Sequence, residues 1–229
     1  MLIDSTAIYG LESSHLVDYQ GHKLEQYTAE ALTCMRQTAN LQGIDIAVCS
    51  GHRSFDKQLH IWNGKALGKR TLLDIDSQPV SITDKSGQDL VDLILLWSAL
   101  PGTSRHHWGT DLDLYDANAI ERSKLALISS EYQAQGPCSR LHTWLVQHSH
   151  EFGFYFPFQL GLSGVSPEPW HLSYFPVANK LLNRFKLGEI ESVLHNADIE
   201  LKSELMAKLP YIVNEYVRRV APSPSIVQN

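Results

Sequence analysis

The chain has 229 residues, 43% of them hydrophobic and 19% charged, which is enough for one substantial buried core and excludes a disordered chain. A formal net charge of −6 argues against a general nucleic-acid binder, because neutralising phosphates takes a basic face. No window approaches the roughly 20 apolar residues that span a bilayer; "LVDLILLWSAL", Leu90 to Leu100, is nearest and carries Asp92, so it reads as a buried helix.

In chain order, "MLIDSTAIYGLESSHL" has no basic n-region, no apolar run of signal-peptide length and no small-residue cleavage site, so a cytoplasmic protein is expected, or a periplasmic one if a leader has been lost. Leu24 to Ala39 carries Leu24, Tyr27, Leu32 and Met35 at helical spacing on good helix formers, with Gly43 as a stop. "IDIAVCSG" then alternates and ends on glycine, as a strand does. Ser54 to Trp62 reads as a helix capped by Ser54, with Asp56 in its first turn. "GQDLVDLILLWSAL" reads as a helix ended by Pro101 and Gly102, and "GTDLDLYD" as a half-buried strand. A helix over Arg140 to Phe152 precedes the aromatic run "FGFYFPF"; after "EPWHLSYFP" come short amphipathic helices broken at Gly188 and Pro210, and a loose tail "APSPSIVQN". The order predicts an α+β fold. Cys34, Cys49 and Cys138 are widely spaced with no CxxC pair, which points to neither a disulfide framework nor a thiolate zinc site and suits a reducing compartment.

Chemistry concentrates in "SRHHWGTDLDLYD", Ser104 to Asp116, which holds two histidines and three aspartates around Gly109. On a strand, residues two apart share a face, so Asp111 and Asp113 point one way while Leu112 and Leu114 point into the core. A catalytic zinc takes three protein donors and leaves its fourth position for water. His171 in "EPWHLSY" supplies the third, and Glu168, three residues before it, is spaced to reach the water rather than the metal. Spacing alone leaves His106 and His107 as alternatives, leaves Asp111 either a ligand or a strand-end hydrogen bonder, and leaves Glu168 open as a plain turn acid before Pro169. His15, His22, His60, His142, His148, His150 and His195 read as ordinary surface or core histidines.

Three separated segments, "SGHRSFDKQ", "SRHHWGTDLD" and "EPWH", resemble the signatures of the VanY-type D-alanyl-D-alanine carboxypeptidases, members of the LAS zinc peptidases named for lysostaphin, the D-Ala-D-Ala enzymes and the hedgehog fold. The central motif SxHxxGxAxD is matched by Ser104, His106, Gly109 and Asp113, which selects His106 over His107. ExWH is matched by Glu168, Trp170 and His171, and SGYRSxxxQ by Ser50, Gly51, Arg53, Ser54 and Gln58; together the motifs bracket about residues 44 to 175. The resemblance implies a small antiparallel sheet flanked by helices over residues 1–176, followed by a helical extension, 177–229, that the family core does not explain. It implies Zn2+ on His106, Asp113 and His171, with Glu168 as catalytic base, Arg53 stabilising the oxyanion, and Gln58, Ser104 and Trp170 facing the substrate. Such a site acidifies a water from a pKa of about 15.7 toward roughly 7.

The substrate implied is a peptidoglycan stem peptide ending in D-Ala, with neither nucleic acid nor membrane as partner. A cytoplasmic enzyme cutting D-Ala-D-Ala would destroy wall precursors, so L,D-carboxypeptidase action on recycled tetrapeptides is expected; D,D-carboxypeptidase, peptidoglycan endopeptidase and a non-catalytic zinc module are the alternatives. Three departures stand out: Asp111 where the pattern has Ala, His52 where it has Tyr, and Phe156 where relatives often carry Tyr. Residues 63–103 also run longer than a minimal member needs.

Overall fold

A Ser–Ala–Leu-rich chain of this kind builds short elements, and their caps are visible in the computed structural model, which describes residues 3–224. After a 3-10 turn at Ser5–Tyr9 come the hairpin β1 (Leu16–Tyr19) and β2 (His22–Glu25), α1 (Gln26–Asn40), β3 (Ile46–Ser50) and α2 (Phe55–Ala66). The two-residue strands β4 (Leu72–Leu73) and β5 (Pro79–Val80), α3 (Gly87–Leu95), β6 (Asp111–Asp116) and α4 (Ser139–His148) follow. The chain continues through β7 (Phe154–Tyr155), β8 (His171–Tyr174), α5 (Phe175–Arg184), α6 (Leu187–Asn196) and α7 (Lys202–Ile212) into a π turn at Val213–Arg218. The central sheet has the order β3-β6-β8-β7 and is antiparallel throughout, flanked by helices, in agreement with the α+β expectation.

Side-chain caps start the first helices. The Glu25 carboxylate accepts from Thr28 N–H at α1, the Ser54 hydroxyl from Lys57 N–H at α2, and Ser86 and Asp89 form a reciprocal capping box at α3. Alternation along β6 and β8 sends Leu112, Leu114 and Leu172 into one apolar cluster with Leu32 and Met35 of α1 and Leu141 and Leu145 of α4. Asp111, Asp113, His171 and Ser173 therefore share the opposite face.

Several elements differ from the sequence reading. Tyr27 is 60% exposed; Thr28 takes the inward position, and one residue earlier lies about 100° round the helix. The strand at Asp111–Asp116 is buried on both faces rather than one, because the loops carrying residues 50–54 and 96–104 cover its polar side. The α3 helix stops at Leu95, short of Pro101: Trp97 leaves the helical path, its indole N–H donating to the Asp74 carbonyl at 2.9 Å and its ring stacking on Trp170. Gly188 sits in the first turn of α6, the break falling instead at Phe185–Lys186, and α7 runs through Pro210 before relaxing into the π turn. The loose tail expected over "APSPSIVQN" lies partly outside the described residues.

A second apolar cluster unites residues the sequence left unexplained. Trp62 of α2 and Leu90, Val91 and Ile94 of α3 pack with Ile190, Leu194, Leu205, Leu209 and Ile212 from the helices after residue 176. No helix among the described residues is long and apolar enough to cross a membrane.

Gly109 connects the turn holding His106 to β6, at φ +70° with its carbonyl accepting from Glu25 N–H. A Cβ there would meet Glu25 N at 2.8 Å and Leu16 Cδ2 at 2.5 Å. Gly109→Ala is expected to destabilise the fold by at least about 1–2 kcal/mol from the left-handed backbone alone, read as a lower urea midpoint with an unchanged slope.

Candidate active site and metal centre

Strand register assembles the site. Asp113 on β6 stands opposite Ser50 of β3 on one side and His171 of β8 on the other, and Asp111 stands opposite Ser173. His106 comes from the 3-10 turn Arg105–Trp108, which is clipped to the loop before α2 by Arg53 N–H donating to the His106 carbonyl at 3.1 Å.

Both histidines have one ring nitrogen held by an acceptor. His106 Nδ1 lies 2.9 Å from the Gly51 carbonyl, so it carries the proton and leaves a lone pair on Nε2, 3.5 Å from Asp113 Oδ2. His171 Nε2 lies 3.0 Å from Asp111 Oδ1, which leaves Nδ1 facing Asp113 Oδ1 at 3.2 Å. The donor atoms of His106, Asp113 and His171 all fall within 4.8 Å of one another and all three residues are buried. Donors on a tetrahedral zinc with bonds of about 2.0–2.2 Å stand roughly 3.3–3.6 Å apart. The two imidazole nitrogens approach the two oxygens of the Asp113 carboxylate, His171 Nδ1 facing Oδ1 at 3.2 Å and His106 Nε2 facing Oδ2 at 3.5 Å, which is close to that spacing, and acceptors behind both rings are what metal-bound histidines require.

The charges are pre-arranged. Burial works against ionised Asp113, but His106 and His171 hold its pKa well below the usual carboxylate range. Burial likewise opposes a charged His171, yet Asp111 and Asp113 raise it to about 9, so a cation entering this site displaces a proton. Glu168 lies 3.4 Å from His171 Nδ1 through Oε2 and is pushed up to about 7, chiefly by burial; Asp113 adds to the rise, while His171, Arg53 and Lys65 draw it back. It gains its ionised form as pH rises through that value.

Asp111 is a partner of His171 rather than a member of the donor triangle. Its Oδ1 also accepts from Arg105 Nε at 2.8 Å, and its Oδ2 accepts from the hydroxyls of Thr110 at 2.8 Å and Ser173 at 3.1 Å. Arg105 Nη2 donates in turn to Ser173 Oγ at 2.7 Å, and its guanidinium lies over the Trp108 ring. Burial opposes the charge on Asp111, and Arg105 and His171 together more than compensate, holding its pKa far below normal. His107 turns away: Nδ1–H donates to the Arg53 carbonyl, Nε2 accepts from Gly102 N–H at 3.0 Å, and burial pushes its pKa down to about 3. His52 is also neutral, pushed to about 4 by burial and then by His15 and His106.

Arg53 reaches the same centre, with Nη2 3.8 Å from Asp113 Oδ2 and donating to Ser50 Oγ at 3.1 Å. Gln58 stands behind it: Oε1 accepts from Arg53 Nη1 at 2.9 Å and Nε2 donates to the Ala99 carbonyl at 2.7 Å, so its fully buried amide is engaged within the protein. Ser104 and Trp170 line the cavity of about 240 Å³ that contains the centre, as does Tyr216 of the π turn. A wider cavity of about 920 Å³ shares Glu168 and Phe158 with it and runs on past Tyr155 and Phe156. Sequence reasoning missed Arg105, Ser173 and Tyr216; the departure at Asp111 was the one signal pointing to the first two.

A family model described as VanY, D-alanyl-D-alanine carboxypeptidase, matches residues 21–177. An uncharacterized protein of Haemophilus influenzae is 31% identical over 121 residues, covering 52% of this chain and 92% of that protein. A D-alanyl-D-alanine carboxypeptidase of Enterococcus faecalis is 26% identical over 171 residues, 73% of this chain and 53% of the relative. Among solved structures, VanYB in complex with D-alanine-D-alanine superposes with a TM-score of 0.53 at 23% identity, over 79% of this chain and 87% of that one. The LdcB LD-carboxypeptidase gives 0.53 at 20% identity, over 86% and 79%. A VanY D,D-pentapeptidase variant in complex with Zn(II) gives 0.52 at 20% identity, over 86% and 93%. These structural likenesses establish the shared fold.

If Asp111 holds His171 in the ligating orientation, Asp111→Asn removes the charge behind the ring while keeping an acceptor of the same size. The variant is expected to bind zinc about 10–100-fold more weakly, measured by competition with a chromophoric chelator, with its circular dichroism spectrum retained.

Proposed function

The chain belongs to the VanY family of zinc-dependent D-alanyl-D-alanine carboxypeptidases, and from that premise we propose that it removes D-Ala from peptidoglycan stem peptides with a preference for the L,D bond of tetrapeptides. The observation that carries the preference is the wide cavity joined to the metal centre at Glu168 and Phe158. A residue before the scissile bond that ends in a methyl group leaves such a space empty, whereas the long side chain of an L-diamino acid fills it. Phe156 and Phe158 offer apolar walls for its stem, and Gln133, His142 and Gln159 offer polar groups for its end. The three cysteines are free, which suits a reducing compartment. There the useful reaction is trimming recycled tetrapeptides, which spares precursors ending in D-Ala-D-Ala.

The residues present divide the work. When bound, zinc supplies Lewis acidity that makes a water nucleophilic near neutral pH. Glu168, close to the donor set but outside it, takes the proton of the attacking water and returns it to the leaving amine. Arg53, aimed by Gln58 and Ser50, offers fixed N–H donors to the oxyanion that develops at the carbonyl. Asp111 and the Gly51 carbonyl orient the two imidazoles throughout.

Two outcomes follow. With Glu168 ionised only above about 7, kcat/KM should rise with pH through an acid limb near that value, and Glu168→Gln should cost about 10²–10⁴ in rate while retaining zinc. In a competition between purified tetrapeptide and pentapeptide muropeptides followed by mass spectrometry, D-Ala should leave the tetrapeptide first; preferential loss from the pentapeptide reverses the assignment to D,D.

A further inference from the structure

The stretch from Phe156 to Trp170 joins β7 to β8 with no helix or strand of its own, yet it carries two groups that meet the centre. Phe158, near its start, lays its ring 4.6 Å from that of His171, centroid to centroid, and Glu168, near its end, stands 3.4 Å from His171 Nδ1. Both residues line the narrow cavity and the wide one, so the position of this loop shapes each of them. Bonds within the loop are short-range, Leu162 N–H to the Gln159 carbonyl and Val165 N–H to Ser163 Oγ, and they curl it without placing it.

Apart from Ser166 N–H, which donates to the Leu96 carbonyl at 3.0 Å, the bonds that place it come from the far end of the chain. Ala221 N–H donates to the Pro157 carbonyl at 2.9 Å, Arg219 Nη1 to the Gly161 carbonyl at 3.0 Å, and Gly164 N–H to the Glu215 carbonyl at 3.2 Å. The π turn makes the last of these available. In an α-helix Arg219 N–H would donate to the carbonyl four residues back, that of Glu215; here it donates to Asn214, five back, at 3.0 Å, and the Glu215 carbonyl is left for the loop. Single π turns of this kind fall frequently at functional positions. The approach is close: a Cβ on Gly164 would meet Glu215 O at 2.6 Å and Glu215 Cγ at 2.8 Å, and Gly164 is not in the left-handed region, so contact alone demands the glycine. The turn has its own footing, with Val213 and Val217 buried in the apolar cluster of the C-terminal helices. Arg219 is steadied in turn, its Nε donating to Glu215 Oε2 at 2.9 Å.

We propose that the π turn and the residues just after it are a latch that holds the 157–168 loop over the metal centre, with Gly164 and Arg219 as positioning residues acting through Phe158 and Glu168. The residues matched by the family model end at 177, so the latch lies outside the family core. The proposal rests on the carboxypeptidase reading for its rate measurement only; amide exchange tests the latch without turnover.

Zinc-loaded full chains carrying Gly164→Ala, Arg219→Met or Arg219→Lys are compared with wild type by hydrogen–deuterium exchange, by chelator competition for zinc and by hydrolysis of a tetrapeptide muropeptide. Arg219→Met, on the exposed side of the turn, is expected to speed exchange over residues 157–168 by about 2–10-fold, the worth of one hydrogen bond, and to lower kcat; Arg219→Lys should recover part of both. Gly164→Ala should speed loop exchange further while β6 and β8 keep their protection and zinc stays bound. Its kcat should fall by about 10²-fold, the cost of misplacing reacting groups by about 1 Å, with a smaller change in KM. Wild-type loop exchange in both Gly164→Ala and Arg219→Met, faster loop exchange with unchanged kcat, or exchange raised equally throughout the chain, as a merely structural contact would give, overturns the proposal. If the loop loosens as expected yet wild type releases D-Ala from no muropeptide, the functional reading fails and the latch stands.

Discussion

Everything at the centre depends on the register of three antiparallel strands. Asp113 occupies the middle strand with Ser50 on one flank and His171 on the other, and Asp111 faces Ser173 two residues away. Because side chains alternate with a period of two, a slip of one residue would bury both carboxylates among Leu32, Met35 and Leu141 and turn Leu112 and Leu114 toward the metal position. The apolar cluster on one face of the sheet is therefore what sets the ligand geometry on the other. Short strands suffice for this, since α1 and α4 cover the apolar face and hold the pairing in place.

On that frame, one environment gives two carboxylates opposite properties. Asp113 is flanked by His106 and His171 and stays ionised despite burial, whereas Glu168 is driven toward neutrality chiefly by burial, with Asp113 adding a like charge. The proposed roles need both states: a donor to a cation has to be anionic at every working pH, and a proton carrier has to change state near it. The same low-dielectric pocket serves both because one group lies between two imidazoles and the other touches only the edge of one. Asp111 adds a third condition: paired with Arg105, it remains an anion behind His171 and fixes which ring nitrogen faces the centre.

The sequence disclosed the parts of the site that lie on local patterns. His106, Gly109 and Asp113 fall within eight residues, and Glu168 and His171 within four, so spacing and motif could bring them together. Choosing His106 over His107 needed the family pattern; the physical reason, a turn that aims one ring at Asp113 and the other at Gly102 and Arg53, exists only in three dimensions. Gln58 was legible as a motif residue but not in its placement, since its engagement by Arg53 and by the Ala99 carbonyl brings together positions 41 residues apart. Arg105 and Ser173 were invisible for a similar reason: neither residue type is unusual where it stands, and only their convergence on Asp111 gives them meaning.

The segments that sequence reading left without a role prove to share one. Residues 63–103 and the helices after 176 contribute Leu90, Val91, Ile94, Ile190, Leu194 and Leu209 to a common apolar cluster, so neither packs as it does without the other. That packing carries Tyr216 to one wall of the catalytic cavity, while the early end of α3 carries Ser98 and the Ala99 carbonyl to another. Local propensity would have extended α3 through "LWSAL"; the indole of Trp97, bonded to Asp74 and stacked on Trp170, draws the chain out of the helix instead. The tertiary contact overrides the local preference at the point where the cavity needs a wall. The insertion and the extension thus act together to narrow the cavity on one side of Glu168, while the catalytic strands alone would leave both sides open.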